Sequence, residues 1–567
     1  MLFQLWLFPA LIAAALGHSI PLGEAISQEC LECRVTVDLY EKEYGDKTTD
    51  HIGELLIDLC ISFKVETNYI CRAGLSNYKE EIEYVLDTTL TTPKQICSLV
   101  LDNCGKFFDP MNVTWQLPMP GSKPPVIPKT VIKPGQHTLK VLHLTDIHID
   151  RDYVVGSEAQ CSNKAFCCRP DDDPNELNKE GVDIVEPAGY WGTRGKCDVP
   201  FWFVDNMLQQ IAETHKDVDY IYLTGDLESH AVWDYTKEAH ADRIRNISAL
   251  IRSHFPDKKV YFAVGNHEGV PMDSFAPHFT PAKFNMSWLY DTIADSWKDS
   301  IPSDQVNLVK YNGCFMVKPF PGLRIISLNN GYGDTMNFFL MVNQTDPDNS
   351  MSWFIKQLDD AEKAGDKVHV IAHIPGGTPE GMEGFSLNYY RAMIRYENTV
   401  AGQFFGHVHA ELFYMFYENP NSAQSRPVDV VYSAPSVTTY SRYNPAYRIY
   451  TIDGNYIGST FRVIDWEEYV FDMKENNKNP QKPTWQTLYS SVLQEYGLKG
   501  NLPSEWSNLI NRMKTDDALF NKFMKNYYRS TEFPDWDEDS RLERLCSLRK
   551  SHHSEELCSD LKKAGSA

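Results

Sequence analysis

The sequence predicts an α/β catalytic domain flanked by two helical regions, and three observations predict it. First, five short apolar runs each end in a glycine or small residue followed by Asp, Asn or His: VLHLTDIHID, YIYLTGDLE, KVYFAVGNHE, KVHVIAHIP and AGQFFGHVHA. Runs of this β-branched, leucine-rich kind form buried strands. Second, amphipathic helical stretches, such as 203–214 and 353–364, alternate with them, which is the signature of α/β architecture. Third, the flanks change period. A block with six cysteines precedes the alternation, and from about Trp466 the apolar residues recur at helical spacing.

In order along the chain, residues 1–17 form one apolar run before small residues. They read as a secretory signal peptide cut within 17–25. No later stretch is long and apolar enough to span a membrane. Residues 26–108 hold Cys30, Cys33, Cys60, Cys71, Cys97 and Cys104, whose pairing the spacing alone leaves open. In HIGELLIDLCISF, the residues Ile52, Leu55, Leu56, Leu59 and Phe63 share one helix face with Cys60. Residues 109–137 carry Pro118, Pro120, Pro124, Pro125, Pro128 and Pro134, a density that favours extended, semi-rigid chain. Such a linker either lets the first domain swing or lies fixed along the second.

The catalytic domain is expected over 138–465. Its first strand ends in Asp146-x-His148, and residues two apart on an extended chain point to the same side. The remaining endings supply Asp226, Asn266 with His267, His373, and His407 with His409. In open α/β sheets, functional groups gather outside the carboxyl ends of the strands. His143 reads as a satisfied structural residue. Cys161, Cys167, Cys168 and Cys197 are expected as two local disulfides, DDDP at 171–174 as a solvated turn, and Cys314 as a buried free thiol. In the C-terminal region, 466–567, Trp506, Leu509, Ile510 and Met513 make one core stripe. Leu519, Phe520, Phe523, Met524 and Tyr527 make the next, and Cys546 and Cys558 close a last loop.

Bulk properties restrict the function. A formal net charge of −23 argues against nucleic acid and against simple electrostatic adhesion to anionic lipid at neutral pH. Thirteen cysteines and sequons at Asn112, Asn246, Asn285 and Asn343 agree with an oxidising secretory route. The set Asp146, His148, Asp226, Asn266, His373, His407 and His409 mixes nitrogen and oxygen donors suited to Zn²⁺, and it is too large for one four-ligand site. Two ions sharing a carboxylate would use it.

These motifs carry resemblances. The N-terminal block resembles the saposin fold, which implies Cys30–Cys104, Cys33–Cys97 and Cys60–Cys71 pairing and a lipid-interacting domain, with a stapled helical cap as the plainer reading. The order Asp-x-His, Gly-Asp, Gly-Asn-His-Glu, His, Gly-His-x-His resembles the calcineurin-like metallophosphoesterases. That implies a four-layer sandwich, with Asp146, His148, Asp226 and His409 on one ion. Asp226, Asn266, His373 and His407 would hold the other. It also places His267 near the leaving group, and His230 is a second candidate general acid. Longer stretches, GDLESHAVWD, AVGNHEGVPMDSF, LNYYRAMIRYENTVAGQFFGHVHAELF and APSVTTYSRYNPAYRIYTIDGNY, are similar to the acid sphingomyelinases. The similarity implies hydrolysis of sphingomyelin to ceramide and phosphocholine, two Zn²⁺, a sphingomyelin-containing membrane surface as partner, a monomer, and secreted or lysosomal placement. The same metal core also serves enzymes that cleave nucleotides or other soluble phosphoesters. One departure stands out: the loops NNGYGD and IPGGTPEG lack the cysteines that the resemblance would join.

Overall fold

The computed structural model describes residues 28–44, 48–62, 66–89, 93, 97, 104, 113–133, 135–161, 166–170 and 184–561. The leader at 1–17, Phe63, the sequon at Asn112 and the turn at 171–174 lie outside them.

Helices α1 (Gln28–Tyr44), α2 (Thr48–Ser62) and α3 (Asn68–Thr89) open the chain. Disulfides Cys30–Cys104, Cys33–Cys97 and Cys60–Cys71 tie them. Leu56 and Cys60 are buried together with Ile57, a position the expected stripe omits.

Two six-stranded sheets follow. In the first, β1 (Thr138–Leu144), β4 (Tyr220–Leu223) and β5 (Lys259–Phe262) run parallel, and β12 (Ala446–Asp453), β13 (Val463–Val470) and β14 (Gln486–Tyr489) extend the sheet antiparallel beyond β1. In the second, β7 (Leu323–Ser327), β8 (Lys367–Ile371), β9 (Val400–Phe405) and β11 (Pro427–Ser433) are parallel neighbours. The strands β6 (Phe315–Phe320) and β10 (Leu412–Tyr417) close its edges antiparallel. A short pair, β2 (Ile149–Asp150) with β3 (Val199–Pro200), lies apart.

The sheets pack face to face. Tyr222 lies tilted against Phe404 at 4.8 Å between ring centroids, and Ser327 Oγ donates to the Phe262 carbonyl at 2.8 Å. Helix Ser350–Ala364 lies on β7 and β8, and helices Glu383–Arg395 and Glu538–Arg549 lie on β10. His143 is buried between the sheets, bonded to Thr224 Oγ1 at 2.8 Å, and takes the structural role its sequence context suggested.

The region expected to turn helical at Trp466 instead continues as strand. β13 crosses position 466, and from Trp466 to Val470 buried and half-buried residues alternate at strand period. β14 then joins the same sheet. Of the helical stripes beyond it, Trp506, Leu509, Ile510 and Met513 in Pro503–Met513 and Phe520, Phe523, Met524 and Tyr527 in Asp517–Tyr528 are buried, while Leu519 is half-buried. Cys161–Cys167, Cys168–Cys197 and Cys546–Cys558 are bonded, and Cys314 is a buried free thiol.

The proline-rich segment is strapped along the catalytic domain. Asn388 accepts from the Leu117 amide and donates to the Trp115 carbonyl. Asn398 does the same for Ile127 and Pro125, and Arg395 donates to the Pro120 carbonyl.

Candidate active site

The five strand endings divide between the two sheets. Asp146 and His148 follow β1, Asp226 follows β4, and Asn266 and His267 follow β5. His373 follows β8, and His407 and His409 follow β9, so the site forms where the two parallel sets end side by side. Glycine makes the approach possible. A Cβ on Gly225, which has φ +82°, would lie 2.5 Å from the Gly265 backbone, and one on Gly406 would lie 2.0 Å from Thr145 Oγ1. Asp146, His148, Asp226, His407 and His409 also have left-handed φ values between 44° and 70°. For residues other than glycine that conformation is uncommon and gathers at functional sites, where the surroundings enforce it.

The donors converge. His409 Nε2 lies 3.4 Å from Asp146 Oδ1 and 3.2 Å from His148 Nε2, and His148 Nε2 lies 3.5 Å from Asp226 Oδ2. On the other side, His373 Nε2 lies 3.0 Å from Asp226 Oδ2 and 3.0 Å from Asn266 Oδ1. His407 Nδ1 also lies 3.0 Å from Asn266 Oδ1. Asp226 therefore faces both groups.

The protonation pattern fits a metal. His148 Nδ1–H donates to the Glu228 carbonyl at 2.6 Å, and His373 Nδ1–H donates to the Thr224 carbonyl at 2.6 Å. Each ring then turns its Nε2 lone pair inward, as metal-binding histidines do when a carbonyl fixes their tautomer. Two carboxylates and these lone pairs, all buried, need a cation between them. Without one, protons substitute. Burial disfavours charge on His373, but Asp226 and Asp146 outweigh it and push the imidazole up to about 10. The groups Asp146–His148–Asp226–His409 and Asp226–His373–His407 each bring one atom per residue within 4.8 Å of the others.

The two remaining histidines differ. His230 Nδ1–H donates to Asp198 at 2.9 Å, its ring stacks on Tyr440 at 3.8 Å, and it lies 4.0 Å from the His148 ring. His267 Nδ1–H donates to Tyr235 Oη at 2.7 Å, whose hydroxyl donates on to the Ser229 carbonyl at 2.5 Å. Burial pushes His267 down to about 3, so it is neutral.

The profile of calcineurin-like phosphoesterases matches residues 139–411. "Sphingomyelin phosphodiesterase 2" of Caenorhabditis elegans is 37% identical over 551 residues, which span 94% of this chain and 88% of that protein. The human "Sphingomyelin phosphodiesterase" is 36% identical over 523 residues, covering 91% of this chain and 80% of that one. The chain belongs to the sphingomyelin phosphodiesterase family. "Sphingomyelin phosphodiesterase B" of Dictyostelium discoideum, 29% identical over 535 residues, shows the same likeness at greater distance, covering 92% of this chain and 80% of that protein.

Several supports of this sphingomyelin phosphodiesterase family site escape a reading by strand ends. Asp198 leaves a disulfide-tied loop rather than a strand, and Thr438 Oγ1 donates to it at 2.6 Å. Asp273 accepts from Asn266 Nδ2 at 2.7 Å, which aims the amide oxygen at His373 and His407. Glu268 closes the GNHE motif and is buried. Its carboxylate accepts the amides of Gly265, Asp226 and Leu227 at 2.6, 3.0 and 2.8 Å and so binds the ends of β4 and β5 together. The two loops without cysteine are tied by backbone instead, Thr335 N–H to the Glu380 carbonyl at 2.8 Å and Met382 N–H to the Gly333 carbonyl at 2.7 Å.

Proposed function

We propose that the chain hydrolyses sphingomyelin to ceramide and phosphocholine at a lipid surface, with two zinc ions in its site. The observation that carries this reading is the buried, convergent donor set in a chain similar to sphingomyelin phosphodiesterases along almost its whole length. Asp146, His148, Asp226 and His409 would hold one ion, and Asp226, Asn266, His373 and His407 the other. Bound zinc supplies Lewis acidity toward phosphoryl oxygens and acidifies water for in-line attack. When the bond from phosphorus to the ceramide oxygen breaks, the departing alkoxide needs a proton. His230 is the better placed donor: Asp198 holds its Nδ1–H and fixes the ring, leaving Nε2 to give the proton. His267, neutral and bonded to Tyr235, orients the site, and its backbone N–H donates to Asp226 Oδ1 at 2.9 Å.

Residues 26–108 are read as a saposin-like lipid presenter. In support, Tyr69, Ile70 and Ala73 of α3 pack with Phe166, Trp233 and Tyr440 in one apolar cluster beside His230. Secreted or lysosomal action fits the six disulfides and the exposed sequons at Asn246, Asn285 and Asn343. Monomeric action is proposed with it.

The test is phosphocholine release from sphingomyelin liposomes before and after chelation, against a nucleoside triphosphate as the soluble competitor. The expected result is loss by about two orders of magnitude on chelation, recovery with Zn²⁺, and slower turnover of the nucleotide. Chelator-resistant hydrolysis, or a higher kcat/KM for the nucleotide, overturns the reading.

A further inference from the structure

We propose that Arg529, supplied by the C-terminal region, is a positioning residue that fixes His409 for metal binding; the inference rests on the metal-centre reading above. Arg529 caps helix Asp517–Tyr528 in the left-handed conformation and is 2% exposed. None of the described carboxylates pairs with it. Its donors go to two loops of the catalytic domain. Nη1 donates to the His409 carbonyl at 2.7 Å, Nε to the Asn444 carbonyl at 2.6 Å, and Nη2 to Ser436 Oγ at 3.2 Å. The guanidinium lies 4.8 Å from the centroid of Tyr443, and the carbonyl of Arg529 itself accepts from Asn444 Nδ2 at 2.9 Å.

This arrangement is costly for a packing residue. Glu468 and Glu411 act on the guanidinium from beyond ion-pair distance and burial outweighs them, a desolvation penalty that an apolar side chain of similar size avoids. Its contacts explain why it is there. His407 and His409 both have left-handed backbones, φ +70° and +58°. The first is anchored from inside the site, its N–H donating to both Asp146 carboxylate oxygens at 3.0 Å. The second is anchored from outside. Its carbonyl accepts Arg529 Nη1 and, at 3.2 Å, the Ser436 amide, and this sets the peptide plane from which the imidazole reaches Asp146 and His148. Ser436 also begins the 436–438 segment, whose Val437 and Thr438 amides donate to the Thr145 and Asp146 carbonyls. Through Ser436, one planar fork thus ties the His409 turn to the segment after β1 that carries the first two ligands. A lysine at 529 reaches one acceptor and cannot span three.

The test measures zinc content and affinity of the full-length protein and the absorption spectrum of its cobalt(II)-exchanged form, for wild type, Arg529→Lys and Arg529→Met. For Arg529→Lys the expected result is wild-type circular dichroism and affinity for one ion weaker by about tenfold to a hundredfold. A changed cobalt spectrum and a kcat lowered in the same range at unchanged KM accompany it, and Arg529→Met falls further. A folded variant with wild-type affinity for both ions and an unchanged spectrum overturns the inference. If neither variant folds, Ser436→Ala decides: it removes one acceptor of the fork, and an unchanged cobalt spectrum and zinc affinity overturn the inference. Wild-type protein that takes up no metal overturns the metal-centre reading and this inference with it. Wild-type uptake with unaltered variants overturns this inference alone.

Discussion

At the scale of single residues, Asp226 is where the two candidate metal groups meet, 3.0 Å from His373 Nε2 and 3.5 Å from His148 Nε2 through the same oxygen. Asp226→Asn keeps the shape and removes the charge, so both ions should be weakened, with kcat falling by about three orders of magnitude or more. Metal analysis after gel filtration checks this, and two retained ions would refute the shared role. Asp198→Asn separates proton transfer from metal binding. It leaves all seven donors in place but removes the carboxylate that holds His230 Nδ1–H. Zinc content should stay at the wild-type value while kcat falls by about 10²–10⁴-fold, and an unchanged kcat would remove His230 from the acid role. The pair also marks what the sequence discloses. The donors were legible because each follows closely on an apolar run. Asp198 was not, because it bonds a residue 32 positions away across a fold that no local pattern encodes.

At the scale of elements, the strand-to-loop junctions bear the function. The glycines in GD, GN and GH are required by space, and Gly225 by its left-handed backbone as well. A methyl on Gly406 would meet Thr145 Oγ1 at 2.0 Å and Asp146 Oδ2 at 2.8 Å. Gly406→Ala should therefore lose zinc and turnover together. Gly458→Ala, at φ +88° with nothing within 4 Å, serves as control and should cost only about 1 kcal/mol of stability. Equal effects of the two on zinc content would show that general destabilisation, and not the clash beside Asp146, is what matters. The same scale shows where periodicity misleads. In 463–470, Trp466 and Tyr469 invite a helical reading, yet the chain alternates and pairs with β12. Periodicity also cannot distribute strands between sheets. That β1, β4 and β5 belong to one and β8 and β9 to the other follows from which strands pair, and five similar endings carry no trace of it.

At the scale of the whole molecule, the N-terminal helices are joined to the site by contacts that no sequence pattern announces. Tyr78 Oη–H donates to the Met272 carbonyl at 2.9 Å, and Ser274 Oγ–H donates to Glu81. Between those two residues, Asp273 orients Asn266. Glu81 makes this contact dependent on pH. Burial above all, aided by Asp273 and opposed by the Ser274 bond, pushes its carboxyl from 4.5 up to about 8. With the helices undocked it titrates at its ordinary value. Between the two values the docked protein keeps a proton that the undocked one has lost, so docking weakens as pH rises, by up to ~1.4 kcal/mol per pH unit. The stabilisation is whole below about 4.5 and gone above about 8. Glu81→Gln imitates the protonated carboxyl at every pH. Thermal midpoints of wild type and variant should therefore coincide in acid and separate toward pH 8, wild type melting lower. Parallel curves across that range would show that Glu81 does not govern docking. The expected divergence would mean that acidity itself helps hold the helices against the segment that orients Asn266.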